Sequence, residues 1–177
     1  MPSLNPATPA ARETAEESTD ALELLSADHD RVQRLFENYT ELVTAEADDA
    51  DKQHVVEEIC LLLTVHAHIE DEFFYPAARR VLDDEDVIDE AQIEHDSVRD
   101  LIDELLTMKP FDELFDDRVR LLEESVSQHV EEEENEIFPR LREAGVDLES
   151  LGEQMSTRRE DLMAELADGS GDLLDDD

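Results

Sequence analysis

A short pattern of His, Glu and Pro occurs twice in this chain. His66-Ala-His-Ile-Glu70 leads to Pro76 and His129-Val-Glu-Glu-Glu133 leads to Pro139. In both copies the His stands ten residues before the proline and the Glu six before it. A His and a Glu at i, i+4 share one face of a helix, one turn apart. An imidazole and a carboxylate stacked in that way form half of a metal site, and two copies offer two halves.

Helices have to carry these residues, and the apolar pattern supplies them. Ser18-Thr19-Asp20 offers an N-cap, after which Leu22, Leu25, Val32, Phe36, Tyr39 and Val43 recur at helical spacing. Beyond an acidic turn from Glu46 to Ala50, a second helix carries Val55, Ile59, Leu62, Leu63, Phe73 and Phe74. It is expected to bend or end near Pro76, because proline removes a backbone donor. After a turn at Leu82 to Asp86, a third helix carries Ile88, Ala91, Val98, Ile102 and Leu105 and stops at Lys109-Pro110. A fourth carries Val119, Leu122, Val126, Ile137 and Leu141 and ends at Gly145. A shorter fifth, from Leu148 to Ala167, carries Leu151, Met155, Leu162 and Leu166.

No segment alternates at period two, so no sheet is expected. The spacing predicts an all-α fold: an antiparallel up-down-up-down four-helix bundle over residues 19–145, with an additional short C-terminal helix over 146–167. Residues 1–18 and 168–177 read as a flexible and an acidic disordered tail.

Four of the six histidines fall within the apolar stripes. His29 is four after Leu25, His66 four after Leu62, His95 four after Ala91, and His129 three after Val126. His29 to His95 spans 66 residues and His66 to His129 spans 63, a pseudo-repeat of two helix pairs. One buried His is most simply a core residue hydrogen-bonded to a carboxylate. Four converging histidines with Glu70 and Glu133 would bury several polar groups and two charges at a large penalty unless a metal joined them. Convergence is easy for His29 and His66, which lie about equally far from the turn near Asp48. His95 and His129 straddle their turn less evenly, a mismatch of roughly 7 Å at about 1.5 Å per residue that loop length and helix tilt could absorb. His68 should face outward, about 200° around the helix from His66. His54, Glu72 and Glu132 read as surface residues, and Tyr39 and Cys60 as packing residues.

All-nitrogen and oxygen ligation without thiolate suits iron, manganese or zinc. Four His and two Glu exceed the four donors of one tetrahedral zinc site. Divided by the pseudo-symmetry, they serve two metals with two His apiece and two carboxylates able to bridge. The order His-x-x-x-Glu argues against the ferritin-like class, whose motif is Glu-x-x-His.

The composition limits partners and compartment. Lys and Arg number 14 against 52 Asp and Glu, a formal net charge of −38. Such a surface repels itself in dilute buffer and tolerates molar salt, where the Debye length falls to about 3 Å. It resembles the salt-adapted proteins of halophilic archaea, and it argues against nucleic acid and anionic membranes as partners. One cysteine, Cys60, allows no internal disulfide. With no apolar run long enough to span a bilayer and no apolar segment within Met1 to Glu17, the expected location is the cytoplasm.

With a lone inward His29, His66 and Glu70 before Phe-Tyr-Pro, His95 within Glu-His-Asp, and His129 and Glu133 before Phe-Pro, the chain resembles the hemerythrin-like family, also called the HHE cation-binding domain, from about Leu22 to Leu141. The resemblance implies a non-haem di-iron site in an antiparallel four-helix bundle. It also marks a departure: oxygen-carrying hemerythrins have a second His one turn after the third-helix His, where this chain has Arg99. Their fourth-helix acid follows its His by five residues, the place of Glu134, whereas Glu133 follows by four. Expected roles are therefore binding or sensing of oxygen, nitric oxide or iron. The alternative is an enzyme, a di-iron peroxidase or oxidase that protects against oxidative or nitrosative stress. A sensor would act through a separate protein partner.

Overall fold

The structure is a computed structural model that describes residues 20–83 and 86–167; the two tails expected above, and part of the turn before the third helix, lie outside the described residues. Asp20 caps α1 (Ala21–Thr44), accepting the Glu23 N–H at 2.9 Å. α2 (Asp49–Ile69) runs through a π-helical turn (Glu70–Phe74) into α3 (Tyr75–Arg79). α4 (Asp86–Thr107) follows. α5 (Phe115–Glu132) runs through a second π-helical turn (Glu133–Ile137) into α6 (Phe138–Ala144). Gly145 ends α6 at φ 70°, a left-handed conformation that costs glycine little. α7 (Leu148–Ala167) packs across α1, α2 and the first π turn. The fold is all-helical.

The expected end near Pro76 is not a break. The rod continues to Arg79 because the π turn precedes the proline: the Tyr75 N–H reaches back to the Glu70 carbonyl, and the same occurs from Phe138 to Glu133 before Pro139. Widening the turn there keeps the proline ring off the carbonyl four residues back, the clash that ordinarily kinks a helix.

The pseudo-repeat extends to the whole core. α1 buries Leu22, Leu25, His29, Val32, Phe36 and Tyr39. α4 buries Ile88, Ala91, His95, Val98, Ile102 and Leu105, each 66 residues later. α2 buries Val56, Ile59, Leu63 and His66, and α5 buries Val119, Leu122, Val126 and His129, each 63 later. Spacing of 3, 4, 3 and 4 gives each helix one inward stripe. The depth mismatch expected between His95 and His129 is absent. His29 lies 15 residues before the end of α1 and His66 17 after the start of α2. His95 lies 12 before the end of α4 and His129 14 after the start of α5. The long connection over residues 108–114 absorbs the difference, so both hairpins close with the same offset.

Two apolar clusters fill the interior. One joins Leu22, Leu25, Phe74, Ile88, Ile137 and Leu141 to Met155 and Leu162 of α7. The other joins Val32, Phe36, Ile59, Ile102, Phe115 and Leu122. Each fully buried side chain of this size contributes roughly 1.5–3 kcal/mol. Tyr39 belongs to the second cluster, its hydroxyl donating to Asp116 at 2.5 Å, as a packing residue with a satisfied hydroxyl should. No helix among the described residues is long and apolar enough to cross a membrane.

Ion pairs such as Arg31–Glu58 and Arg118–Glu104 stud the surface, but 14 cations cannot offset 52 acids. Raising salt from millimolar to molar should screen this repulsion and stabilise the fold by several kcal/mol, at roughly 2–4 °C in melting temperature per kcal/mol for a chain of this size. A melting temperature unchanged across that range would remove the salt-adapted reading.

Candidate metal centre

Between the two apolar clusters, α1, α2, α4 and α5 each contribute one histidine, and the π turns begin on Glu70 and Glu133. His29, His66, His95 and His129 are buried, and the two carboxylates are 0% and 1% exposed. All six residues that the spacing singled out therefore converge.

The donors form two groups that share Glu70: His29, His66, Glu70 and Glu133, and Glu70, His95 and His129, with the donor atoms of each group within 4.8 Å of one another. Glu70 lies across the middle. Its Oε1 is 3.1 Å from His66 Nε2 and its Oε2 is 3.1 Å from His95 Nε2. Glu133 Oε2 lies 3.4 Å from His29 Nε2. The paired imidazoles meet through Nε2, His29 with His66 at 3.2 Å and His95 with His129 at 3.1 Å.

Each Nδ1 faces outward to a carboxylate: His29 to Glu134 at 2.8 Å, His129 to Glu94 at 2.8 Å, His95 to Asp71 at 3.4 Å and His66 to Asp28 at 3.6 Å. A carboxylate there favours the tautomer with its proton on Nδ1 and leaves Nε2 a bare lone pair. Two such lone pairs about 3 Å apart repel, and a cation between them removes the conflict. Two donors each about 2.1 Å from a common ion and at right angles are themselves about 3 Å apart, which fits the observed spacing. Both oxygens of Glu70 and Oε2 of Glu133 are buried without a hydrogen-bond donor, a costly state that a cation would relieve. The donor set therefore fits a pair of N/O-ligated metal ions.

Without a metal, protons take the place of the cation. Burial alone would push the His66 imidazole down, but Glu70 and Asp28 outweigh it and hold its pKa well above the ordinary value. Burial opposes His95 too, and its contacts with Asp71 and Glu70 raise it to about 9. The carboxylates part company. Glu70 overcomes its burial through His66 and His95 and stays well below the usual range, whereas burial and the nearby Glu70 charge push Glu133 up. Two carboxylates in one dry site cannot both be charged unless cations join them.

The π turns also explain a residue that spacing missed. Tyr75 is five after Glu70, about 140° away on a regular α-helix, but one π turn brings it back to the same face. Its hydroxyl is 3.2 Å from His95 Nε2, 3.5 Å from His129 Nε2 and 3.3 Å from Glu133 Oε1, to which it donates. Its counterpart in the second copy is Phe138, five after Glu133, which stacks on His29 at 6.1 Å between centroids. One half of the site thus carries a phenol and the other a bare ring. Of the outer carboxylates, Asp28, Asp71 and Glu94 were missed as well, and Glu134 was singled out only as the acid five after His129. Their signal was positional, since Asp28 and Glu94 precede His29 and His95 while Asp71 and Glu134 follow Glu70 and Glu133. Glu134 serves His29 Nδ1 from outside and leaves the inward place to Glu133. His54 and Glu72 are exposed and His68 and Glu132 half-buried, none of them in either donor group.

A cavity of about 30 Å³ adjoins the imidazoles, walled by Val32, Leu63, Val98, Val126 and Val130, with Asp28 the carboxylate in its lining.

Residues 20–141 match the family described as Hemerythrin HHE cation binding domain. The fold is similar to the crystal structure of a hemerythrin HHE cation binding domain-containing protein from Mycobacterium kansasii. The TM-score is 0.70 at 25% identity, over 88% of this chain and 96% of that one. A curated relative, the DNA nickase of Nostoc sp. (strain PCC 7120 / SAG 25.82 / UTEX 2576), is 32% identical over 121 residues, 68% of this chain. This chain spans only about a third (33%) of that protein's length.

Proposed function

This chain belongs to the hemerythrin HHE cation-binding domain family, and from that premise we propose that it is a cytoplasmic non-haem di-iron protein that binds or senses a small diatomic molecule, oxygen or nitric oxide, or responds to iron itself. The observation that carries this reading is the apolar cavity beside the four imidazoles. At about 30 Å³ with mostly apolar walls its size suits a small ligand such as a diatomic molecule.

Iron held by these donors supplies open positions for a diatomic ligand and a one-electron change per ion. The chain does the rest. His29 and His129 present Nε2 inward because their Nδ1 atoms are hydrogen-bonded outside to Glu134 and Glu94, and the Nδ1 atoms of His66 and His95 face Asp28 and Asp71. Glu70 offers one oxygen to each half. The valines and Leu63 keep water from competing for the open face. Tyr75 holds a proton at its hydroxyl among His95, His129 and Glu133.

That phenol favours a second reading, a di-iron peroxidase or oxidase. Reducing hydrogen peroxide to two waters consumes two protons and two electrons, and reducing dioxygen to two waters consumes four of each. Tyr75 could pass the protons inward, and an external reductant would have to supply the electrons.

The DNA nickase name describes a protein of which the match covers about a third, and at a net charge of −38 we propose neither a nucleic-acid partner nor a membrane partner for this chain. A sensing role would act through a partner protein.

Metal content of protein purified in molar salt, with the visible spectrum before and after reduction, tests the reading. About two irons per chain and a charge-transfer band that changes on reduction are expected. A stoichiometric shift of that band with oxygen or nitric oxide supports the binder, and catalytic loss of peroxide supports the enzyme. A colourless zinc protein would overturn both.

A further inference from the structure

The four outer carboxylates are not equivalent. Glu134 and Glu94 reach their imidazoles unaided at 2.8 Å. Asp28 and Asp71, one methylene shorter, stop at 3.6 and 3.4 Å, and each has an arginine on its far side. Arg159 of α7 donates to Asp28 Oδ1 at 2.8 Å, and Arg99 of α4 donates to Asp71 Oδ2. The pattern is the same on both halves of the site: one imidazole on a glutamate, the other on an arginine-clamped aspartate.

From this we infer that Arg159 and Arg99 are positioning residues for the metal site, acting through Asp28 on His66 and through Asp71 on His95. The inference rests on the di-iron reading above. A short aspartate with one oxygen free would turn toward water. Asp28 and Asp71 are only 18% and 28% exposed, and a guanidinium on the outer oxygen leaves the inner oxygen facing Nδ1. With Nε2 committed to a metal, Nδ1 carries the proton, and a held acceptor fixes the ring plane and makes the imidazole a stronger donor. Arg99 supports His95 from outside, through Asp71. Arg159 lies beyond residues 20–141, which gives the C-terminal helix a part in the site. Its core contacts through Met155 and Leu162 place the guanidinium.

Wild-type protein is first loaded with ferrous iron. Failure to hold about two irons there would sink the di-iron reading before any variant is made. Two readouts then follow: the exchangeable, hyperfine-shifted imidazole N–H proton resonances, and the rate of iron release to 2,2′-bipyridine. In Arg159→Gln the His66 N–H signal should shift and exchange faster with water. One iron equivalent should leave roughly tenfold faster, the low end for loosening a group that holds a ligating His. Arg99→Gln should do the same for His95, and Arg159→Lys should restore part of the effect. Arg158, the neighbour on α7, pairs with Glu72 on the surface at 2.9 Å, so Arg158→Gln should change neither readout.

Should Arg159→Gln fail to fold, Asp28→Asn neutralises the same contact with no substitution in α7 and should move the same resonance. Wild-type signals and release rates in Arg159→Gln, or in Asp28→Asn where that stands in, overturn the inference. So does an equal change in Arg158→Gln, which would assign the effect to helix packing.

Discussion

Glu70→Gln is expected to empty both proposed metal positions, whereas Glu133→Gln is expected to leave about one metal per chain. The difference follows from where the two side chains lie. Glu70 gives one oxygen to His66 and the other to His95, both at 3.1 Å, and belongs to both donor groups. Glu133 belongs to the group on the His29 side. Losing a ligand outright should exceed the 10–100-fold loss of affinity typical of an outer partner, so Glu70→Gln should weaken both positions more than about a hundredfold. The amide conserves shape and can still hydrogen-bond an imidazole, so the metal-free fold should survive. Metal analysis after equal loading, beside circular dichroism, reads both effects. Equal loss from the two variants would show that the carboxylates bridge equivalently, contrary to the geometry.

Metal-free protein should lose stability as pH rises, and loaded protein should not. His95 sits at about 9 in the folded chain, above its ordinary 6.5, so the folded state binds its proton more tightly than the unfolded state does. The stabilisation is present in full below about pH 6.5 and is lost as pH rises through about 9. A shift of that size corresponds to about 3 kcal/mol. His66 is raised too and acts in the same direction. Glu133, pushed up by burial and by Glu70, costs stability once pH exceeds the ordinary carboxylate range and adds to the loss. Glu70, held below that range, contributes stability that disappears only as pH falls through its lowered value.

Metal on Nε2 takes the place of the protons, so loading releases them and tightens as pH rises from 6.5 to 9. At constant molar salt, the melting temperature of metal-free protein should fall by roughly 6–12 °C between pH 6 and 9.5, and that of loaded protein far less. Parallel curves for the two forms would mean that the imidazoles are not where the metal binds.

The helices, their inward faces and the six converging residues were legible in the sequence because periodicity along a helix is a local property. The offsets of 66 and 63 between histidines mapped residue by residue onto the buried stripes of α1 with α4 and of α2 with α5. Gly145 announced its helix end through backbone conformation, and Ser18-Thr19-Asp20 announced theirs through a side-chain cap whose partner lies three residues on. The charge of −38 was likewise readable, and with it the expectation about salt.

Three things needed the tertiary structure. Tyr75 was hidden because a regular 3.6-residue turn puts it on another face from Glu70. Only the π turn, a shift of one hydrogen bond accommodated beside Pro76, aims it at the site. The outer carboxylates were hidden because 52 acids make any one of them unremarkable until an imidazole Nδ1 is seen beside it. Arg159 was hidden because it lies 131 residues from Asp28, and no sequence pattern relates residues that far apart. Local spacing decided which atoms face inward, while the packing of α7 and the two π turns decided what holds those atoms in place. Those contacts join separate helices and exist only once the helices have packed.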